Sequence, residues 1–171
     1  MQVVDVTVSY LAMETPGQLR FAGTAPPSVE LRRVVGPDVG SVAGALYRAV
    51  GAEWHWRDRL QWSDARWSEA VSRNDVEIWT AVRDGTVAGY FELGMIDGVV
   101  DIHYFGLMPE FIGQGIGRWL LAQAVDRAWT MGAARVTLNT CTLDGPAALP
   151  NYLSRGFEIV RTVAQRREIP A

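Results

Sequence analysis

The chain has 171 residues, of which 49% are hydrophobic and 20% charged, with a formal net charge of −3. That is the length of one domain, apolar enough to exclude disorder and large enough to bury about 70% of its surface without disulfides. The acidic balance, with no basic run longer than two residues, argues against nucleic acid as a partner. One cysteine, Cys141, and two histidines, His55 and His103, rule out a disulfide framework and a Cys- or His-rich metal site, so no metal is expected.

The first residues, Met1 to Asp5, lack a basic segment followed by an apolar core. No stretch approaches the ~18 apolar residues of a membrane span. A cytoplasmic protein with no membrane partner is therefore expected. Residues 3–13 alternate as a strand, and the Gly- and Pro-rich residues 14–28 read as a loop. A short strand at 29–35 precedes a helix that opens at Gly36-Pro37-Asp38 and stops at Gly51. Residues 52–73 carry Trp54, Trp56, Trp62 and Trp67, with Ser63 placed to cap a short helix. Strands at 77–83, 86–96 and 99–108 are joined by Asp84-Gly85 and Asp97-Gly98, dipeptides that favour tight hairpins, so the three form an antiparallel meander. A loop at 109–114, a helix at 115–131, a strand at 134–140, a helix at 144–155 and a strand at 157–169 complete the chain. This order predicts an α/β fold: a mixed, mostly antiparallel sheet with helices on both faces.

The glycine turn Gly113-Gln114-Gly115-Ile116-Gly117-Arg118 joins a strand to a helix. Backbone N–H groups converge at such a helix start, where the helix dipole also favours an anion, so a phosphate is the natural guest. Two common nucleotide motifs fail. Leu120 stands where a dinucleotide fingerprint needs its third glycine, and a Walker loop needs a lysine that this chain does not possess.

The run Leu107-Met108-Pro109-Glu110 followed by Gly115 and Gly117 resembles motif A of the GNAT superfamily of N-acetyltransferases, although Ile112 stands where that motif has Arg or Gln. Tyr152-Leu153-Ser154-Arg155-Gly156-Phe157 resembles the end of motif B, with Pro146 in place of the motif's asparagine. The resemblance implies a single GNAT-like acyl-CoA N-acyltransferase domain over 1–171. Its core spans 29–169, and residues 1–28 add an N-terminal strand and loop. It implies acetyl-CoA, or another acyl-CoA, as cosubstrate and a primary amine of a small molecule or peptide as acceptor, acylated by direct attack in a ternary complex. The alternative is a non-catalytic CoA-binding sensor or interaction module. The resemblance also leaves a homodimer open.

The resemblance places the donor on Leu107, Met108, Gly113, Gln114, Gly115, Ile116, Gly117 and Arg118, and makes Tyr152 the proton donor to the leaving thiolate. Glu92 and Asp101 are the candidate bases, a carboxylate inside an apolar strand being unusual. His103 lies on the same strand face as Asp101, because side chains alternate along a strand. Together with Trp54, Trp56 and Trp62, whose faces can hold a cationic amine, it forms the expected acceptor-binding set.

Overall fold

The computed structural model describes all of residues 1–171. Seven strands form one sheet: β1 (Gln2–Met13), β2 (Val29–Val34), β3 (Val76–Arg83), β4 (Thr86–Ile96), β5 (Val99–Leu107), β6 (Arg135–Cys141) and β7 (Glu158–Ile169). Four helices pack on it: α1 (Val39–Gly51), α2 (Asp64–Val71), α3 (Ile116–Thr130) and α4 (Ala148–Ser154). The strand order is β2-β3-β4-β5-β6-β1-β7. Every neighbouring pair is antiparallel except β5 and β6, which run parallel. The expected mixed α/β sheet is therefore the one formed. No helix is long and apolar enough to cross a membrane.

The meander follows from local chemistry. Asp84 and Asp97 sit at φ 50° and 51°, each followed by a glycine at positive φ, the backbone that a two-residue hairpin turn demands. Ser63 caps α2, its Oγ accepting from the Arg66 N–H at 3.1 Å. The apolar stripe of α3 (Ile116, Leu120, Leu121, Ala124, Val125, Ala128) fills the larger core, against Phe91, Leu93, Ile102, Val136 and Leu138 of the sheet. A smaller core on the opposite face joins α1 and α2 to β3, β4 and β5 through Tyr47, Trp67, Ile78 and Tyr90.

Two elements differ from the sequence reading, the place of β1 and the start of α4. The added N-terminal strand, β1, lies inside the sheet between β6 and β7, and Leu11 and Met13 are part of the larger core. Helix α1 ends at Gly51, where the sequence placed its stop, and the chain continues through a 3-10 turn at Ala52–Trp54 to His55, at φ 58°. A Cβ at position 51 would sit 2.6 Å from the Trp56 ring, so this glycine serves close packing. Helix α4 starts at Ala148 instead of 144. The Asp144 carboxylate accepts from the Cys141 N–H (3.1 Å) and the Thr140 hydroxyl, and Gly145 precedes a proline, which disfavours helical backbone.

One ion cluster ties the sheet to α3. Glu77, 4% exposed, accepts from Arg127 Nε and Nη2 at 2.7 and 2.6 Å and from Trp79 Nε1 at 3.2 Å, and lies 3.1 Å from Arg33. Burial alone would raise its pKa; these partners outweigh burial and hold it below the usual carboxylate range. Glu77→Ala is expected to cost about 3 kcal/mol, the low end for breaking such a cluster because both arginines reach water, and to lower the Tm by about 6–12 °C. Thermal unfolding followed by circular dichroism checks this.

Candidate active site

The site grows from the divergence of two parallel strands. β5 and β6 pair only from Val99–Arg135 to Asp101–Thr137. Beyond that point they part, and residues 103–107 have no ladder partner on the β6 side. A cavity of about 650 Å³ fills the wedge. His103 to Leu107 form one wall, Leu138 to Cys141 the other, and Trp54 to Asp58 a further side. Ala148, Asn151 and Tyr152 of α4 close the end with Gly117 of α3.

The glycine turn stands at that end. Gly113 and Gly115 lie at φ 85° and 81°, a backbone that a side chain would strain. A Cβ on Gly117 would lie 3.5 Å from Leu107, so the helix start abuts the end of β5. The Gln114 side chain is tied to Arg83 and donates to the Glu110 carbonyl at 3.0 Å, which fixes the turn. Of the expected donor-binding residues, Leu107 and Gly117 line the cavity. Gly113, Gln114, Gly115 and Arg118 form the turn and first helical residues beside it. Ile116 is fully buried in the larger core and Met108 packs against the smaller one, so neither side chain lines the cavity.

Two residues on α4 and just after it were not foreseen. The Asn151 Nδ2 donates to the Gly117 carbonyl at 3.3 Å, tying α4 to the first turn of α3. The Arg155 guanidinium has Nε and Nη1 buried without a partner. Its pKa is lowered, first by burial and then by the charge of Arg118. Arg118 and Arg155 are near enough for their charges to interact, Arg118 lies beside Gly115 of the turn, and neither forms a salt bridge with a carboxylate, an arrangement suited to phosphate oxygens. The sequence signal for Arg155 is an arginine at a helix end within the second motif.

Tyr152 is buried with its ring edge-on to Phe105 and Phe157, and it lines the cavity. Burial, with the Asp144 carboxylate adding to it, pushes the phenol pKa up, so the group stays protonated at neutral pH.

Glu92, Asp101 and His103 come together, but not as equals. Glu92 is 2% exposed and does not line the cavity. Its Oε1 accepts from Arg59 at 2.8 Å, and its Oε2 lies 2.7 Å from His103 Nδ1. Burial favours the neutral acid, but the hydrogen bonds from His103 and Arg59 win and hold its pKa below the usual carboxylate range. An ionised Glu92 accepts the proton on Nδ1, which leaves the His103 Nε2 lone pair free. Nε2 lies 3.8 Å from Asp101 Oδ2, and Asp101 Oδ1 accepts from the Thr137 hydroxyl at 2.7 Å.

A β-bulge presents the imidazole. Glu92 pairs with Tyr104 and Leu93 with Ile102, leaving His103 as the extra residue. Gly94 makes room for it, since a Cβ there would fall 2.3 Å from the ring. Arg59 is itself held between Trp62 (4.5 Å to the ring centroid) and Tyr104 (4.6 Å). Trp54 and Trp56 line the cavity; Trp62 does not, and packs on Trp67 and carries the Arg59 and Arg66 guanidiniums. Trp54 reaches across to the β6–α4 turn, where a Cβ on Gly145 would lie 3.1 Å from its ring. Asp58 accepts from the Tyr47 hydroxyl at 2.7 Å and from the Tyr104 hydroxyl.

A sheet split between parallel strands, with a glycine turn at the mouth of the split, is the architecture of a GNAT fold. Residues 44–157 match the model of the acetyltransferase (GNAT) family, and the chain belongs to that family. Among solved structures, a GCN5-related N-acetyltransferase from Sphaerobacter thermophilus superposes with a TM-score of 0.73 at 19% identity, over 95% of this chain and 51% of that one. One from Kribbella flavida gives 0.68 at 21%, over 94% and 56%. An aminoglycoside acetyltransferase from an uncultured soil metagenomic sample, in complex with sisomicin, gives 0.62 at 13%, over 75% and 88%. The chain thus spans about half the length of the first two. A search of curated proteins gave no match.

Proposed function

We propose that the protein is an N-acetyltransferase that moves an acetyl group from acetyl-CoA to a primary amine within a ternary complex. The observation that carries this reading is His103, held by Glu92, opening into the same cavity as Tyr152, beside a glycine turn with the partnerless Arg155 guanidinium next to it. Family membership and the acetyltransferase names of the structural relatives support acetyl transfer.

The residues fit the donor. The amides of Gly113 to Arg118, with Arg118 and Arg155, offer a cradle for its phosphates. The partnerless edge of residues 103–107 offers hydrogen bonds to an extended arm. Acetyl-CoA, when bound, supplies the acetyl group as a thioester.

His103 Nε2 takes the proton of the attacking amine, Glu92 fixes the tautomer, and Asp101 stabilises the imidazolium that results. Glu92 is thereby a positioning residue, and the proton acceptor is His103. Backbone N–H groups on the open edge of β5 face the acyl oxygen as negative charge develops there. Tyr152 gives its proton to the departing sulfur. One N–C bond forms, one C–S bond breaks, and the amine's proton ends on His103.

Calorimetric titration with acetyl-CoA, followed by a thiol-release assay across an amine panel, tests the reading. Donor at one hundred times its Kd is expected to add about 2.7 kcal/mol, visible as a rise in Tm. Tyr152→Phe is expected to lower kcat about 100-fold, with acetyl-CoA affinity unchanged. Tight CoA binding with no turnover for any amine would instead assign the sensor role.

A further inference from the structure

A second cavity, of about 460 Å³, adjoins the first and shares Leu138 and Asn139 with it. Helices α1 and α2 pack over β3, β4 and β5. On the same face, the sheet continues as a groove over β6, β1 and β7. Asp101 stands at its inner end, 3.8 Å from His103 Nε2, with Thr137 and Asn139 beside it. At its outer end the Arg161 guanidinium lies 4.4 Å above the Tyr10 ring.

The charges in this groove are not equivalent. Arg135 is spent on Glu14 at 2.8 Å. Arg161 has no carboxylate partner and rests on an aromatic face, which holds a guanidinium in place while leaving its N–H donors free. At the inner end, Asp101 is engaged only by the Thr137 hydroxyl and the histidine. The groove therefore offers a negative charge next to the candidate base and an unmatched positive charge farther out. Tyr10 is on β1, two strands from the β5 that carries Asp101. It also lies two residues along from Ala12, which faces Thr137 and through it Asp101, so the backbone separation is about 12 Å at the usual strand spacing and rise, and a hydrogen bond at each end leaves a shorter span for the ligand.

We infer that this groove selects acceptors carrying a carboxylate roughly 7–10 Å from the reacting amine, the amine at Asp101 and His103 and the carboxylate on Arg161. That is the span of a peptide two to three residues long; an amino acid that reacts at a side-chain amine falls at its short end. A polyamine meets the unmatched charge of Arg161 instead and is disfavoured. The inference rests on the proposed N-acetyl transfer for its direction, but the groove can be tested by binding alone.

The test titrates the protein, with and without saturating CoA, with dialanine against dialanine amide, and with lysine against 1,5-diaminopentane. The free acid is expected to bind about tenfold more tightly than its carboxylate-free counterpart in at least one pair, and the pair that responds identifies the source of the amine. Arg161 is exposed on the outer strand, so Arg161→Gln should fold normally. It should abolish the preference and leave acetyl-CoA affinity unchanged. Equal binding in both pairs overturns the inference, as does an Arg161→Gln variant that weakens acid and amide alike. Failure of acetyl-CoA to bind would sink the acetyltransferase reading separately, because the acid-against-amide comparison does not require it.

Discussion

Replacing His103 by glutamine is expected to lower kcat about 10²–10⁴-fold with any acceptor that the wild type acetylates, while acetyl-CoA affinity stays within about twofold. The reason is geometric. Glutamine can still donate to Glu92, so the buried carboxylate keeps a partner, but nothing remains with a lone pair at the Nε2 position. The variant should therefore be as stable as the wild type in thermal unfolding, which separates loss of a base from loss of a fold. A variant with near wild-type turnover would remove His103 from the mechanism and return the role to Asp101 or a water.

The parts of this site that were legible in the sequence are those set by neighbours in the chain. The Asp-Gly turns, the Ser63 cap and the glycine turn before α3 each depend on a few consecutive residues, and each forms where expected. Leu107, Gly117 and Tyr152 likewise sit on the cavity, because the strand–turn–helix and helix–strand units around them are local.

What was hidden depends on register and on segments that meet only after folding. Alternation alone put Asp101 and His103 on one face, but the bulge that singles out His103 arises from how β5 pairs with β4. Glu92 reads as a free carboxylate until Arg59, 33 residues earlier in the chain, is seen to close on it. Trp62 belongs to the same spacing as Trp54 and Trp56, yet its ring faces the arginine pair and Trp67. The interior place of β1 rests on pairings with β6 and β7 from the far end of the chain, which no periodicity within residues 3–13 encodes.

Glu92→Ala is expected to destabilise the protein by about 3–5 kcal/mol, lowering the Tm by about 6–20 °C. The cost comes chiefly from Arg59, whose side chain is 13% exposed and would be left charged without a counterion. The acid dependence has a definite sign. Because the folded-state pKa of Glu92 lies below that of an exposed glutamate, its contribution is fully present above the unfolded value of about 4.3 and is lost as pH falls through the folded value. The Glu92→Ala variant should accordingly show a flatter loss of stability between pH 5 and the acid limit than the wild type. Replacing both partners, as Arg59→Met with Glu92→Leu, should recover much of the lost stability, since a buried ion pair exchanged for apolar groups of similar volume is often neutral. The same double variant should still turn over poorly, because His103 has lost the carboxylate that holds its tautomer and orientation. Chemical denaturation and turnover, measured on the single and double variants, separate the two roles. A double variant as unstable as Glu92→Ala would show that Glu92 holds the fold through something other than Arg59, and a double variant with full activity would show that His103 needs no positioning carboxylate.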